Sequence, residues 1–147
     1  MLIVIPGTRL DIVAELIDTG NILDALTVGL FLSTYTPSIN STFAELEAAK
    51  ATFTGYAVVT PVVWTGPYLD ANKTAYVLGG LIEIAAAAPT PPAEFVTNVI
   101  GGYYLYTGTT LRGVEQFTDA VTGSPTPVPV ANENAMVPVV PRFSFGQ

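Results

Sequence analysis

Cysteine and histidine are both absent from this 147-residue chain, and those two absences exclude a great deal of chemistry. Without cysteine there are no disulfides, thiolate metal sites or cysteine nucleophiles, and the redox compartment stays undetermined. Without histidine the common general base, the serine–histidine arrangement and the commonest transition-metal ligand are gone. Charge is also scarce: 12% of residues are Asp, Glu, Lys or Arg while 50% are hydrophobic, against about a quarter charged in ordinary soluble domains. So few charges cannot coat a monomer's surface in the normal way, which predicts that part of the apolar surface meets protein. Long hydrophobic runs are missing too. The longest candidates, around Leu23 to Leu32 and Ile82 to Ala88, fall short of the roughly 20 apolar residues that a spanning helix requires, so no membrane partner is expected.

What charge there is leans acidic. Twelve acids against five bases give a formal net charge of −7, and the bases (Arg9, Lys50, Lys73, Arg112, Arg142) are scattered. Phosphate binding draws its affinity from clustered cations that release counterions, so direct DNA or RNA binding is not expected. An acidic balance suits a subunit that must stay soluble before assembly. Met1 to Pro6 is apolar but lacks a basic lead-in, and Arg9 and Asp11 follow too soon for a signal-peptide core, so no export signal is expected. Asn40-Ser41-Thr42 and Asn72-Lys73-Thr74 match the glycosylation acceptor pattern and, without an export signal, read as turn residues.

The length suits one domain with one core. Leu10, Val13, Leu16 and Ile17 recur at helical spacing between Thr8 and Gly20, predicting a helix over 9–19. From Leu26 the period becomes two, with Leu26, Val28, Leu30 and Leu32 on one face of a strand. Thr42 and Glu45 form a capping box that opens a second short helix over 43–49. Strands are predicted over 53–60, with a continuation at 62–64 beyond Pro61, and turns at Thr65-Gly66-Pro67 and Asp70-Ala71-Asn72. Residues 74–86 alternate like a strand broken at Gly79-Gly80, which predicts a bulge or a hairpin of two short strands. Ala85 to Ala88 is stopped from forming a helix by Pro89-Thr90-Pro91-Pro92. Residues 95–106 and 111–118 read as a hairpin turning at Thr107-Gly108, 123–129 as an exposed Pro-rich loop, and 135–145 as a last strand. About seven to nine short strands with two short helices predict a mainly β, antiparallel sandwich or jelly roll. No internal repeat or domain boundary is visible.

The residues offer no catalytic, cofactor-binding or metal-binding set. Glu45 and Glu47 point to different faces of a short helix, and Asp11, Glu15 and Asp18 share a face that reads as solvated. Asp70-Ala71-Asn72 begins like a calcium loop but lacks its later acidic positions. Gly79-Gly80 and Gly101-Gly102 lack the context of a phosphate cradle, so bulges or tight packing explain them better. Lys50 and Lys73 sit near turns, where solvation keeps them charged. Trp64, Tyr68, Tyr76, Tyr103, Tyr104 and Tyr106 are the remaining cluster. Amphipathic rings suit a sugar-stacking platform, as in a carbohydrate-binding module, and suit cross-strand packing equally.

One stretch resembles a known group of proteins. Leu-Thr-Val-Gly-Leu-Phe from Leu26, then Thr-Pro-Ser, Ser-Thr-Phe-Ala-Glu-Leu and Ala-Thr-Phe-Thr-Gly-Tyr-Ala-Val-Val to Val59 is similar to a pattern in small virion structural proteins of tailed bacteriophages, of head-decoration or fibre type. Weaker similarity continues through Ile100-Gly-Gly-Tyr-Tyr-Leu and Val114-Glu-Gln-Phe. The resemblance implies a non-enzymatic capsid cement or decoration protein without cofactors, made in the host cytoplasm and resident in the virion. It further implies a homo-oligomer, a trimer, with the major capsid protein as partner. A tail, baseplate or fibre-anchor position is the alternative. Such proteins gain stability from extended arms laid across neighbours. Residues 1–8 and 136–147 have the character of arms, apolar, β-prone and poor in charge. The subunit contacts are therefore expected at Leu2, Ile3, Val4, Ile5, Met136, Val137, Val139, Val140, Phe143 and Phe145.

Overall fold

The computed structural model describes residues 2–4, 25–60, 64–72 and 75–145. The helix expected over 9–19, with Asp11, Glu15 and Asp18, lies outside the described residues, as do Ile5, Val62, Val63 and Lys73. Along the chain run β1 (Leu2–Val4), β2 (Thr27–Leu32), α1 (Phe43–Ala48), β3 (Trp64–Leu69), β4 (Ala75–Gly79), β5 (Ile82–Ala85), β6 (Asn98–Thr107), β7 (Thr110–Gln116), β8 (Val128–Val130), β9 (Met136–Val139) and β10 (Arg142–Phe145). Every ladder between them is antiparallel, so the protein is mainly β as its alternating patterns predict.

The main sheet has the order β1-β7-β6-β2, and β8 pairs with the N-terminal end of β6. Its centre is the hairpin β6–β7, turned by Gly108 at a φ of 58°. One face of the sheet sends Val28, Leu30, Ile100, Tyr103 and Leu105 into a large core shared with Val77, Ile84, Val137, Val139 and Phe143. The other face sends Phe31, Tyr104, Leu111 and Val114 against Leu46 of α1. The sheet is thus covered on both faces, by a second β-layer and by one turn and a half of helix.

Antiparallel partners share a face, and two such pairs on the α1 side join an aromatic ring to a glycine. Tyr104 stands opposite Gly29, and Phe31 opposite Gly102. A Cβ on Gly29 would sit 2.7 Å from Tyr104 Cε1, and one on Gly102 would sit 2.7 Å from Phe31 Cζ and collide with the carbonyl oxygen of Glu115. Each ring therefore lies flat over the backbone of the facing strand, filling space that the missing side chain leaves. The Tyr104 hydroxyl then reaches beyond the sheet and donates to Glu47 Oε1 on α1 at 2.8 Å. The helix itself starts as expected: Thr42 Oγ1 accepts from the Glu45 N–H, and Glu45 Oε2 accepts from the Thr42 N–H.

The second layer is a long ribbon. β4 pairs with β10, β5 pairs with β9, Gly79 N–H donates to the Pro141 carbonyl, and Ala86 N–H donates to the Ala135 carbonyl. Residues 75–86 and 135–145 thus run side by side throughout, and the partner register slips by one residue between Leu78↔Arg142 and Ile82↔Val139. Of the two readings of Gly79-Gly80, the structure takes the bulge. Burial follows it: Val77 and Gly79 face inward before the slip, Ile84 after it, while the partner strand stays in phase with Val137, Val139, Pro141 and Phe143 all buried. Gly101-Gly102 marks a second slip, between Phe31↔Gly102 and Leu32↔Ile100.

Two expectations are corrected. Residues 53–60 form no regular strand. They run along the open edge of β2, where Ala51 N–H donates to Leu30 O and Val28 bridges Val59, but the chain turns at Thr54-Gly55, with Gly55 at a φ of 90°. The Tyr56 hydroxyl replaces the lost ladder partner by accepting from Leu30 N–H at 2.9 Å. Thr65-Gly66-Pro67 is not a turn between strands but a bulge inside β3, lying between Thr65↔Leu78 and Tyr68↔Tyr76.

Two stability predictions follow from these contacts. Gly102→Ala should destabilise by about 3 kcal/mol or prevent folding, because backbone meets the new methyl. Gly108→Ala, with open space around it, should lose only about 1 kcal/mol to its left-handed backbone; urea unfolding distinguishes the two. For Glu47, burial pushes the pKa up, but the hydrogen bond from Tyr104 and the nearby Lys50 outweigh it and hold the carboxyl below its ordinary 4.5. A carboxyl with a lowered folded pKa stabilises the fold above its unfolded pKa, and that contribution is lost as pH falls through the folded value. Tyr104→Phe should therefore lose about 1–2 kcal/mol at neutral pH, and its deficit against wild type should shrink in unfolding measured below pH 4.5.

Candidate functional site

Parity along the ribbon decides what the molecule shows. Along 136–143, Val137, Val139 and Phe143 are core residues, whereas Met136 and, between β9 and β10, Val140 are 47% and 50% exposed. The alternation continues on the facing strand: Leu81 is 62% exposed, Glu83 and Ala85 are exposed, and Ile84 is buried. Ala85 stands opposite Met136 and Glu83 opposite Pro138. The bulged part of the ribbon thus presents Leu81, Ala85, Met136, Pro138 and Val140 on the outward face with Glu83, and Arg142 follows Val140 on that same face.

The segments expected to reach out as arms are tied into their own chain. Leu2–Val4 pairs with Gly113–Glu115 as the outer strand of the main sheet, and residues 136–145 form one side of the ribbon. Val137, Val139 and Phe143, expected at a subunit contact, are corrected to core positions; the backbone of Phe145 pairs with Ala75. Among the members of that set whose side chains are described, Met136 and Val140 face solvent. Leu81, their neighbour across the bulge, was missed in the sequence because a one-residue slip reverses which members of an alternating run point outward.

The other end of the ribbon is aromatic and polar. Tyr68 on β3 stands directly opposite Tyr76 on β4, with ring centroids 5.5 Å apart and planes tilted by 37°. The Arg142 guanidinium lies 4.0 Å over the Tyr76 ring and 3.6 Å from Asp70 Oδ2. Asp70 Oδ1 accepts from Asn72 N–H in the turn that follows β3.

These are two of the six aromatic residues read as a cluster; the fold does not bring the six together. Tyr103 and Tyr104 are buried on opposite faces of the main sheet, Tyr106 packs against Phe43 beside Tyr104, and Trp64 packs against the large core. The Tyr103 hydroxyl donates to Glu115 Oε2 at 2.5 Å and accepts from Arg142 N–H at 3.0 Å, and burial foremost pushes its pKa well up. Burial likewise pushes Tyr56 up to about 12. Neither group is poised to lose a proton near neutral pH.

Other candidates are committed to structure. Glu45 caps α1, and Glu47 pairs with Tyr104 and Lys50. Gly79-Gly80 and Gly101-Gly102 each lie at a slip of the ladder. A groove of about 470 Å³ runs past Leu32, Asn98, Val99 and Val130, but no ionisable side chain lines it, and the Asn98 amide is spent on Thr52 and the Thr97 carbonyl. Among the described residues no three His, Cys, Asp or Glu side chains group as metal ligands, and no helix is long and apolar enough to cross a membrane. No protein-family model, curated protein or solved structure matches the chain.

The inside–outside division of 136–143 is directly measurable. Phe143→Ala should destabilise by about 3–5 kcal/mol by leaving a core cavity. Met136→Ala and Val140→Ala should each change stability by less than about 0.5 kcal/mol in the same denaturation assay.

Proposed function

We propose that this chain is a non-catalytic structural protein of a tailed-phage virion, a head cement or decoration protein that binds the major capsid protein and associates with its own copies as a trimer. The observation that carries the assembly reading is the bulged part of the ribbon: an outward sheet face with three large aliphatic side chains, Leu81, Met136 and Val140, roughly half or more exposed, beside Glu83 and Arg142. A sheet face exposed to water ordinarily alternates with polar residues, and a contiguous apolar patch marks a surface that meets protein. Burial there also answers the shortage of charge in the composition. The virion setting rests on the resemblance of residues 26–59; it transfers no site residue.

In this reading contact is made by a preformed face rather than by loose arms. Association then carries no large cost of ordering chain ends. Light scattering of the purified protein should report an oligomer, and sedimentation with emptied phage heads should show it bound. Leu81→Asp combined with Val140→Asp should keep the wild-type unfolding transition and weaken association by about 2 kcal/mol or more, roughly thirtyfold. A wild-type protein that stays monomeric and leaves the heads bare would sink the proposal. Labelled antibody on intact particles that decorates the tail instead of the head would move the chain to the tail, baseplate or fibre anchor.

A further inference from the structure

We propose that copies of this chain meet through the outward face of the ribbon in one orientation, with Glu83 of one copy set against Arg142 of the next. The inference rests on the assembly reading and deepens it, naming a second copy as the partner of this face and an ion pair as what sets the register.

Charge on the outward face of the two ribbon strands is confined to one residue of each sign. Alternate residues of 136–144 point outward, and Arg142 is the charged one among them; on the facing strand the charged one is Glu83. Glu83 stands opposite Pro138 and Arg142 opposite Leu78, so the two charges flank the row that holds Val140 and Leu81. At roughly 3.3 Å per residue each lies about 7 Å along the ribbon from Val140. The face therefore reads acid, aliphatic, base. Glu83 is exposed and, among the described residues, makes no hydrogen bond or ion pair. Arg142 lies over the Tyr76 ring, which fixes its direction, while its side chain stays 37% exposed. A guanidinium has several N–H donors, so one carboxylate, Asp70 at 3.6 Å, does not exhaust it.

A lone carboxylate on an aliphatic face works against covering that face, because an unpaired charge carried into a contact loses its water without return. A second copy brings the missing cation at the matching distance from the same aliphatic row. The register that sets Glu83 against Glu83 and Arg142 against Arg142 joins like charges and is disfavoured. Each face carries both signs, so each copy gives its Arg142 to one neighbour and its Glu83 to another, and a closed ring such as the trimer leaves neither unpaired. A foreign partner with charge of one sign would match only one of the two residues.

The test uses single-cysteine chains, since the protein has no cysteine of its own. Glu83→Cys mixed with Arg142→Cys under mild oxidation should give cross-linked pairs of chains, and Glu83→Cys alone should give few, because a disulfide requires Cα atoms within about 7 Å of each other. Independently, Glu83→Lys should weaken self-association in sedimentation about tenfold or more with thermal unfolding unchanged, although it brings the net charge of −7 nearer to zero; Glu83→Gln should weaken it less. The proposal is overturned by Glu83→Lys associating as wild type does, or by Glu83→Cys cross-linking to itself as readily as to Arg142→Cys. If Leu81→Asp with Val140→Asp still weakens association in that case, the face remains the subunit contact and only the pairing of charges is lost. A wild type that stays monomeric overturns both readings.

Discussion

Side chains on a strand alternate between faces, so one inserted residue exchanges inside and outside for everything that follows it. This chain uses that constraint at Gly79-Gly80, at Gly101-Gly102 and again around Gly66. Each time a glycine sits where the strand is bent and crowded, and each time the set of residues facing the core is reset. On β6 the slip lets Ile100 and Tyr103 both reach the large core although they are three residues apart. On the ribbon it lets Val77 and Ile84 do the same, and leaves Leu81 beside Val140 on the outside. The candidate surfaces are consequences of where the ladder slips.

Tyrosine is the partner of this device. A buried ring supplies apolar area, and its hydroxyl must still find a partner. Tyr104 fills the space over Gly29 and holds α1 through Glu47, Tyr56 restores a ladder bond at the edge of β2, and Tyr103 joins β7 to β10 through Glu115 and Arg142 N–H. In each case the ring packs like phenylalanine while the hydroxyl stands in for a backbone or helix contact that the irregular strands lack. Few charged residues are needed inside, because two carboxylates, Glu47 and Glu115, and two backbone N–H groups, of Leu30 and Arg142, satisfy these phenols.

Much of this fold was legible in the sequence because it is local. The capping box of Thr42 and Glu45, the alternation from Leu26 and the turn at Gly108 each involve residues within a few positions of one another, and each is found where expected. Residues 53–60 misled because their β-prone composition describes the right neighbourhood, the edge of β2, while the hydrogen bond that replaces the ladder comes from a side chain. The six aromatics read as one cluster are not brought together, since composition does not say which face a ring occupies. The sequence showed the apolar character of 136–147 but not that residues 136–145 pair with 75–86 of the same chain.

Pairing within the chain decides which apolar side chains of 136–145 stand outward. Folding the C-terminal segment onto the ribbon buries Val137, Val139 and Phe143 but leaves Met136 and Val140 outside, joined by Leu81. Solubility alone would favour charge at those outward positions, as Glu83 supplies at one of them. Three aliphatic side chains stand together on this two-stranded face instead, with Arg142 next to Val140 along the strand. Because the bulge that exposes Leu81 is also the one that keeps Ile84 in the core, the patch cannot be lost by a small rearrangement of the strand. The same glycine pair that closes the interior therefore fixes which apolar side chains stand outward.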